Sequence, residues 1–149
     1  MLKDAGLGTL PGTAAEILDD DVRHQIERIK LKVSEWLDVI KTAHRLGIRT
    51  TSTMMYGHTE SEEHWVRHLM LLRDVQKETG GFTEFVPLGF VHEFTQLYRS
   101  GDARPGPTID EHLKKKLVDP LLFGELQNVG TATVDLKGEQ LVFKLKPRA

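Results

Sequence analysis

Residues 48–57 read IRTTSTMMYG, and what flanks them decides the fold. The stretch is rich in β-branched residues and alternates only weakly, as a strand buried between layers does. Ahead of it, Ser34 caps a helix predicted to run to Leu46, with Trp36, Leu37, Ile40, Ala43 and Leu46 at helical spacing. Gly47 stops that helix. Behind the strand, Thr59 or Ser61 opens a helix to about Lys77, with Trp65, Leu69, Leu72 and Val75 on one face. Gly80 and Gly81 end it, and FTEFVPLGF (82–90) is the next strand, cut short by Pro87. Strands separated by helices of roughly 15 to 20 residues predict an α/β fold: a parallel sheet with helical crossovers, open or part of a barrel.

Upstream, GLGTLPGTAAEILD (6–19) places Gly6, Gly8, Pro11 and Gly12 in a loop before a predicted helix from about Thr13 to Ile29. Thr13 and Glu16 have the spacing of a capping box, and Ile17, Val22 and Ile26 form the apolar side. Asp19, Asp20 and Asp21 are a point where that helix can break. A glycine-rich loop feeding a helix N-terminus suits an anionic ligand, but it equally suits any strand-to-helix connection. The spacing matches neither a dinucleotide fingerprint nor a phosphate loop.

Beyond residue 98 the grammar changes. YRSGDARPGPT (98–108) has the composition of a linker, Ile109 to Leu122 reads as a helix, and TATVDLKGEQLVFKLK (131–146) reads as an antiparallel hairpin about Lys137–Gly138. The chain has 149 residues with a net charge of −2, which suits one domain and gives no general electrostatic pull toward nucleic acid or an anionic membrane. The short basic clusters, Lys30 with Lys32 and Lys114 to Lys116, read as solvated faces. No apolar run of membrane-spanning length and no signal-peptide core occurs, so a cytoplasmic protein is expected. Cysteine is absent, which removes disulfides, thiol nucleophiles and cysteine-ligated iron–sulfur clusters from the chain's own chemistry.

The chemistry-bearing candidates gather at strand ends. TSTMMYGHTE (51–60) sets Thr53, Tyr56 and His58 at the C-terminal end of a parallel strand, where α/β folds place ligands. His58 suits an acid, a base or a metal ligand, or simply a loop histidine beside a helix cap. Glu84 and His92 can face the same cavity. His64 and His68 stand four apart on one helix, but the glutamate of a metalloprotease motif and a third ligand are missing, so no metal is expected.

The stretches GLGTLPGTAAEILDD, EWLDVIKTAHRLGIRTTSTMMYGHTE, HWVRHLMLLRDVQKETGGFTEFVPL and ARPGPT, within residues 1–107, resemble the later part of the radical S-adenosylmethionine subunit of FO synthase. That family makes a deazaflavin chromophore. The resemblance implies half of a (β/α) barrel in which Glu16, Thr53, Tyr56, His58 and Glu84 lie at or near the cavity mouth as candidate vestigial ligand-binding residues. It also implies an iron–sulfur cluster and adenosylmethionine. The cluster-binding cysteine loop of the family is not in this chain, and Ile26, Glu27 and Arg28 replace an expected cysteine–proline.

Residues 109–145 resemble instead the C-terminal subdomain of Clp/Hsp100 AAA+ ATPases, whose G-A-R-P motif would align with Arg104. No Walker motif accompanies it. The two resemblances together imply a recombined or engineered chimera: one composite domain, the half-barrel completed by a C-terminal helix and hairpin. The expectation is no catalytic activity, no cofactor, no catalytic residue, and no nucleic-acid or membrane partner. Self-association through an exposed sheet edge or the C-terminal hairpin is a further expectation. Two alternatives remain. One is an FO-synthase fragment that supplies a wall of the substrate and adenosylmethionine site and needs its missing half. The other is an oligomerisation module acting through the Clp-like tail.

Overall fold

The computed structural model describes residues 1, 3–107, 129–137 and 140–147. Three parallel strands form the central sheet in the order β1 (Thr9–Leu10), β2 (Arg49–Tyr56) and β3 (Phe82–Gly89). Thr9 pairs with Arg49, and Thr53 with Val86. Between β1 and β2 the chain runs through a 3-10 turn (Thr13–Ala15), α1 (Asp20–Ile26) and α2 (Val33–Arg45). Helix α3 (Glu62–Thr79) crosses from β2 to β3, and α4 (Gln96–Arg99) is one short turn beyond β3. This is the α/β architecture that the alternation predicts, and a half-barrel is consistent with it.

The helical spacing works as expected. Trp36 and Ile40 of α2 and Leu72 and Val75 of α3 are buried against Met54, Tyr56, Phe82 and Phe85 of the sheet. Each such side chain contributes roughly 1.5–3 kcal/mol on burial. Ser61 is the N-cap of α3, and Gly80, at φ 59°, ends it in the left-handed conformation. His44 on α2 ties this layer to the sheet: its Nδ1 is 2.7 Å from the Thr79 hydroxyl and its Nε2 2.8 Å from that of Thr50.

Four expectations are corrected. The helix predicted over 13–29 divides at the aspartates, where a break was expected, but its first part is only a 3-10 turn: Glu16 takes a positive φ, and Asp19 caps α1 afresh by accepting from Val22 N–H. The α2 N-terminus starts one residue before Ser34, its first amides bound by Glu35 and Asp20 carboxylates rather than by a serine cap. Pro87 does not cut β3 short. Phe90 N–H donates to Tyr56 O, so by alternation position 87 faces away from β2 and its missing N–H costs no ladder bond. β1 itself lies inside the expected loop.

The hairpin forms as predicted, β4 (Val129–Lys137) antiparallel to β5 (Gln140–Pro147) in a sheet of its own. The helix expected over 109–122 and the turn at Gly138 lie outside the described residues. No helix among the described residues is long and apolar enough to cross a membrane.

Candidate functional site

The stretch after β1 runs beside β2 as an irregular extension of the sheet. Gly12 N–H donates to the Thr51 hydroxyl at 2.9 Å, and Thr53 Oγ1 donates to Gly12 O at 2.7 Å. A Cβ at Gly12 would stand 2.1 Å from Thr51 O, so only glycine allows this approach. Met55 N–H then donates to Glu16 O at 3.0 Å. The backbone is thereby pinned on both sides of Glu16, whose φ of 37° and ψ of −96° are strained for a residue with a side chain. The Glu16 carboxylate meets Lys30 Nζ at 2.7 Å through Oε1, while Oε2 is buried with no hydrogen-bond partner among the described residues.

Arg23 holds this loop from behind. It is 2% exposed; its Nε donates to Leu31 O at 2.7 Å and its Nη1 to Ala14 O and Ala15 O at 3.0 Å. Burial lowers its pKa from the ordinary value, and the nearby Glu16 and Asp20 charges oppose that shift.

At the end of β2 the chain turns through Gly57 to His58 and Glu60, both buried. The Glu60 carboxylate accepts from Gly57 N–H, from His58 N–H at 2.8 Å and from Trp65 Nε1–H at 2.7 Å. Burial alone would raise its pKa, but the His58 charge and these three donors outweigh it and hold the carboxyl below its usual range. His58 Nε2–H donates to Met55 O at 3.1 Å, and Nδ1 lies 3.0 Å from Glu60 Oε2 and 3.2 Å from the Thr59 hydroxyl. Burial pushes the His58 pKa down, against the Glu60 charge, the Met55 carbonyl and Glu16; Arg104 pushes it down further. His58 and Glu60 thus form a coupled buried pair, with both ring nitrogens of His58 engaged inside the turn.

The segment read as a linker is laid across the strand ends instead. Arg104 N–H donates to His58 O at 3.3 Å, and Gly106 N–H to His92 Nδ1 at 3.0 Å. A Cβ at Gly57 would meet Pro107 Cδ at 2.6 Å, and one at Gly106 would meet Phe90 O at 2.3 Å. A cavity of about 340 Å³ lies here, lined by Phe90, His92, Glu93, Gly106 and Pro107 among others.

The structure thus brings Glu16, Thr53, Tyr56 and His58 to the C-terminal half of β2, with Tyr56 and His58 buried. Glu84 stands apart, exposed on β3, and His92 serves the 103–107 segment rather than a cavity shared with His58. His64 and His68 have separate roles. His64 Nδ1 accepts from Ser61 N–H at the α3 N-terminus, whereas His68, fully buried, accepts from Leu18 N–H and donates to Thr53 O. No three histidine, aspartate or glutamate side chains cluster to hold a metal ion among the described residues. The sequence reading missed Arg23, Glu60 and the pairing of Lys30. The glutamate two places after His58 was the one available signal for this turn.

No protein-family profile matches the chain. It is 56% identical over 136 residues to an FO synthase of Nocardia farcinica and 52% identical over 136 residues to one of Mycobacterium tuberculosis, in each case across 91% of this chain. It is 49% identical over 143 residues, 95% of this chain, to a 5-amino-6-(D-ribitylamino)uracil–L-tyrosine 4-hydroxyphenyl transferase of Methanocaldococcus jannaschii. The chain spans 16% of the length of the first two relatives and 40% of the third.

These matches correct three expectations. Coverage of 95% of the chain runs through residues 109–145, so the comparisons give a separate Clp-like piece, and with it a chimera, no support. Relatives at about half identity are named as enzymes, which overturns the reading of a chain without enzymatic character. The expectation of no cofactor falls with it: the family implied by the sequence resemblance uses an iron–sulfur cluster and adenosylmethionine, and the absence of cysteine says only that these residues do not supply the cluster's ligands. What the comparisons establish is similarity, over nearly the whole chain, to a part of enzymes named FO synthase and tyrosine 4-hydroxyphenyl transferase.

Proposed function

We propose that these residues form a strand-end wall of an enzyme of deazaflavin synthesis. It would act on L-tyrosine and 5-amino-6-(D-ribitylamino)uracil, the substrates in the name of one relative. The observation that carries this reading is the loop at Glu16: a strained backbone, fixed from both sides, that holds a carboxylate oxygen buried without a partner at the end of β2. Strain of this kind, costing about 1–3 kcal/mol, persists where surrounding structure over-determines it, and it concentrates at ligand sites. Identity of about one residue in two across this segment supports the same reading.

The residues present do not fit an iron–sulfur cluster, since the chain has no cysteine and no clustered alternative ligands among the described residues. In this reading the cluster is held outside these 149 residues, which form a single cytoplasmic domain with neither a nucleic-acid nor a membrane partner. The chain's own part is to bind and orient. Glu16 accepts hydrogen bonds from substrate, Thr53 holds the loop through Gly12, and the His58–Glu60 turn shapes the floor.

The test is to combine the chain with a cluster-bearing chain of the same enzyme class. Turnover of L-tyrosine and the ribitylaminouracil, and the binding of each, would then be measured. Activity dependent on this chain, and reduced at least tenfold by Glu16→Ala, is expected. A combination that binds neither substrate with the wild-type chain would overturn the proposal.

A further inference from the structure

The segment with the composition of a linker lies over the strand ends as a strap, and one imidazole nitrogen fastens its far end. His92 Nδ1 accepts from Gly106 N–H at 3.0 Å, which requires a lone pair there and puts the proton of the neutral ring on Nε2. The Glu93 carboxylate stands 3.7 Å from the same nitrogen, beyond hydrogen-bond distance but within reach of a small rotation of the ring. Nδ1 therefore has two partners of opposite demand. Gly106 needs its lone pair, and Glu93 needs a proton on it.

The backbone at His92 is fixed. Its carbonyl accepts from Thr95 N–H at 3.1 Å and from the Thr95 hydroxyl at 2.9 Å, in a turn where Phe94 takes a φ of 67°. Tyr98 of α4 packs against the ring at a steep angle, with centroids 4.6 Å apart. The choice of partner is thus left to the side chain. Beyond Glu93 and Tyr98, the charged residues of the packed elements are Arg99 of α4, which stands over the Phe94 ring at 5.9 Å, and Asp102 and Arg104 of the strap.

The near end of the strap is anchored without any titrating group: Asp102 and Ala103 N–H both donate to Leu97 O at 3.1 Å, just after Gly101 at φ 82°. Between the two anchors Arg104 N–H reaches His58 O at 3.3 Å, the longest of these bonds. The cavity of about 340 Å³ has His92 and Glu93 on one side and Gly106 and Pro107 of the strap on the other.

We infer that His92 is a proton-operated latch: neutral, it holds residues 104–107 over the strand ends through Gly106; protonated, it turns to Glu93 and lets them lift. A proton on Nδ1 sets two N–H groups against each other, so the Gly106 bond is lost and a charge-assisted bond to Glu93 replaces it. Histidine is the side chain whose charge changes between pH 5 and pH 8, so the strap closes toward neutral pH and the cavity beneath it opens as pH falls. The latch concerns access to the strand ends and stands apart from the substrates proposed above.

Amide hydrogen exchange would be followed on the full chain at pH 8 and pH 5, as protection factors with the intrinsic pH dependence of exchange removed. The charge and tautomer of His92 would be read beside it from the nitrogen chemical shifts of the ring. As His92 takes up its proton, protection at Gly106 should fall about tenfold, the loss of one hydrogen bond. The nearby Phe90 amide, bound to Tyr56 O, should keep its protection and show the sheet intact. His92→Asn offers an oxygen that accepts from Gly106 at either pH, so protection there should stay high throughout. Glu93→Gln removes the charge that favours the open form and should move the loss to lower pH.

Gly106 protection that holds in the wild type at pH 5, or is already absent at pH 8, overturns the latch. So does a fall in His92→Asn as large as in the wild type, which assigns the opening to another group. A loss shared equally by Phe90 makes the opening global and overturns it likewise. Should the asparagine variant not fold, Glu93→Gln decides: a transition that does not move overturns the exchange of partners.

Discussion

Glu16 and His68 show, one residue at a time, how this fold sustains costly local states. If the Glu16 backbone is strained, glycine should tolerate the position better than alanine, even though glycine is the poorer residue almost everywhere else. Glu16→Ala loses the Lys30 ion pair and keeps the strain, whereas Glu16→Gly loses the pair and relieves it. In urea unfolding the glycine variant should be the more stable of the two by about 1 kcal/mol; equal midpoints would show that the conformation carries no strain. His68 makes a different prediction. Burial, with Arg23 adding to it and the Thr53 hydrogen bond opposing, lowers its pKa from 6.5 to about 3. Between those values the unfolded chain binds a proton that the folded chain refuses. Stability is therefore complete above pH 6.5 and lost as pH falls toward 3, at up to about 1.4 kcal/mol per pH unit. His68→Leu strands the Leu18 N–H and should cost roughly 2–3 kcal/mol at pH 7, but its stability should fall less steeply between pH 6 and pH 4. An unchanged slope would show that other groups dominate acid unfolding.

Among the elements, α2, α3, β2, β3 and the hairpin were legible because each declares itself locally, by apolar spacing or by a stop glycine such as Gly47 or Gly80. What was not legible depends on partners distant in sequence. β1 has two residues and exists only because Thr9 and Leu10 find Arg49 and Thr50. The break at Glu16 is set by Met55, which takes its carbonyl, and Arg23 looks like a surface helix residue until Ala14, Ala15 and Leu31 surround it. The 103–107 segment has the composition of a linker, and nothing local reveals the His58 and Phe90 carbonyls against which it packs. The candidate site was legible in the same measure: the end of β2 was found from the strand pattern, the Glu60 and Arg104 contacts were not. Arg23 offers the element-scale test. Arg23→Met keeps the length of the side chain but leaves the Ala14, Ala15 and Leu31 carbonyls without their donor, the Ala15 one buried, which should destabilise the chain by about 3 kcal/mol. Hydrogen exchange should show α1 and the 12–16 loop opening before the β2–β3 core; uniform loss of protection would mean that Arg23 supports the whole core rather than the loop.

At the scale of the whole molecule, the described helices cover one face of the sheet, while the segment at Gly12 reaches Thr51 and Thr53 on the other. The helices pack on the side that carries Met54, Tyr56, Phe82 and Phe85, and by alternation Thr51, Thr53 and Met55 of β2 and Glu84, Val86 and Leu88 of β3 share the other. Among the described residues β3 is also an edge strand, paired on one side by β2, with Gln76 taking the outward amide and carbonyl of Phe82 at its start. Glu84 supplies the charge that blunts such an edge, but Leu88, 44% exposed and toward the ligand end of the strand, supplies none. An edge with an apolar side chain at that place invites pairing with a second copy, because main-chain hydrogen bonds and apolar burial are gained together. The chain alone should therefore self-associate as its concentration rises, and Leu88→Lys should shift sedimentation toward the monomer, since a second lysine across the contact would be held close to the first. The substitution faces away from the core and should leave the urea midpoint nearly unchanged, within about 0.5 kcal/mol. Association that persists in Leu88→Lys would move the contact away from β3, and a wild type that stays monomeric at high concentration would show this edge to be sufficiently guarded by Glu84 and the outward-facing Pro87.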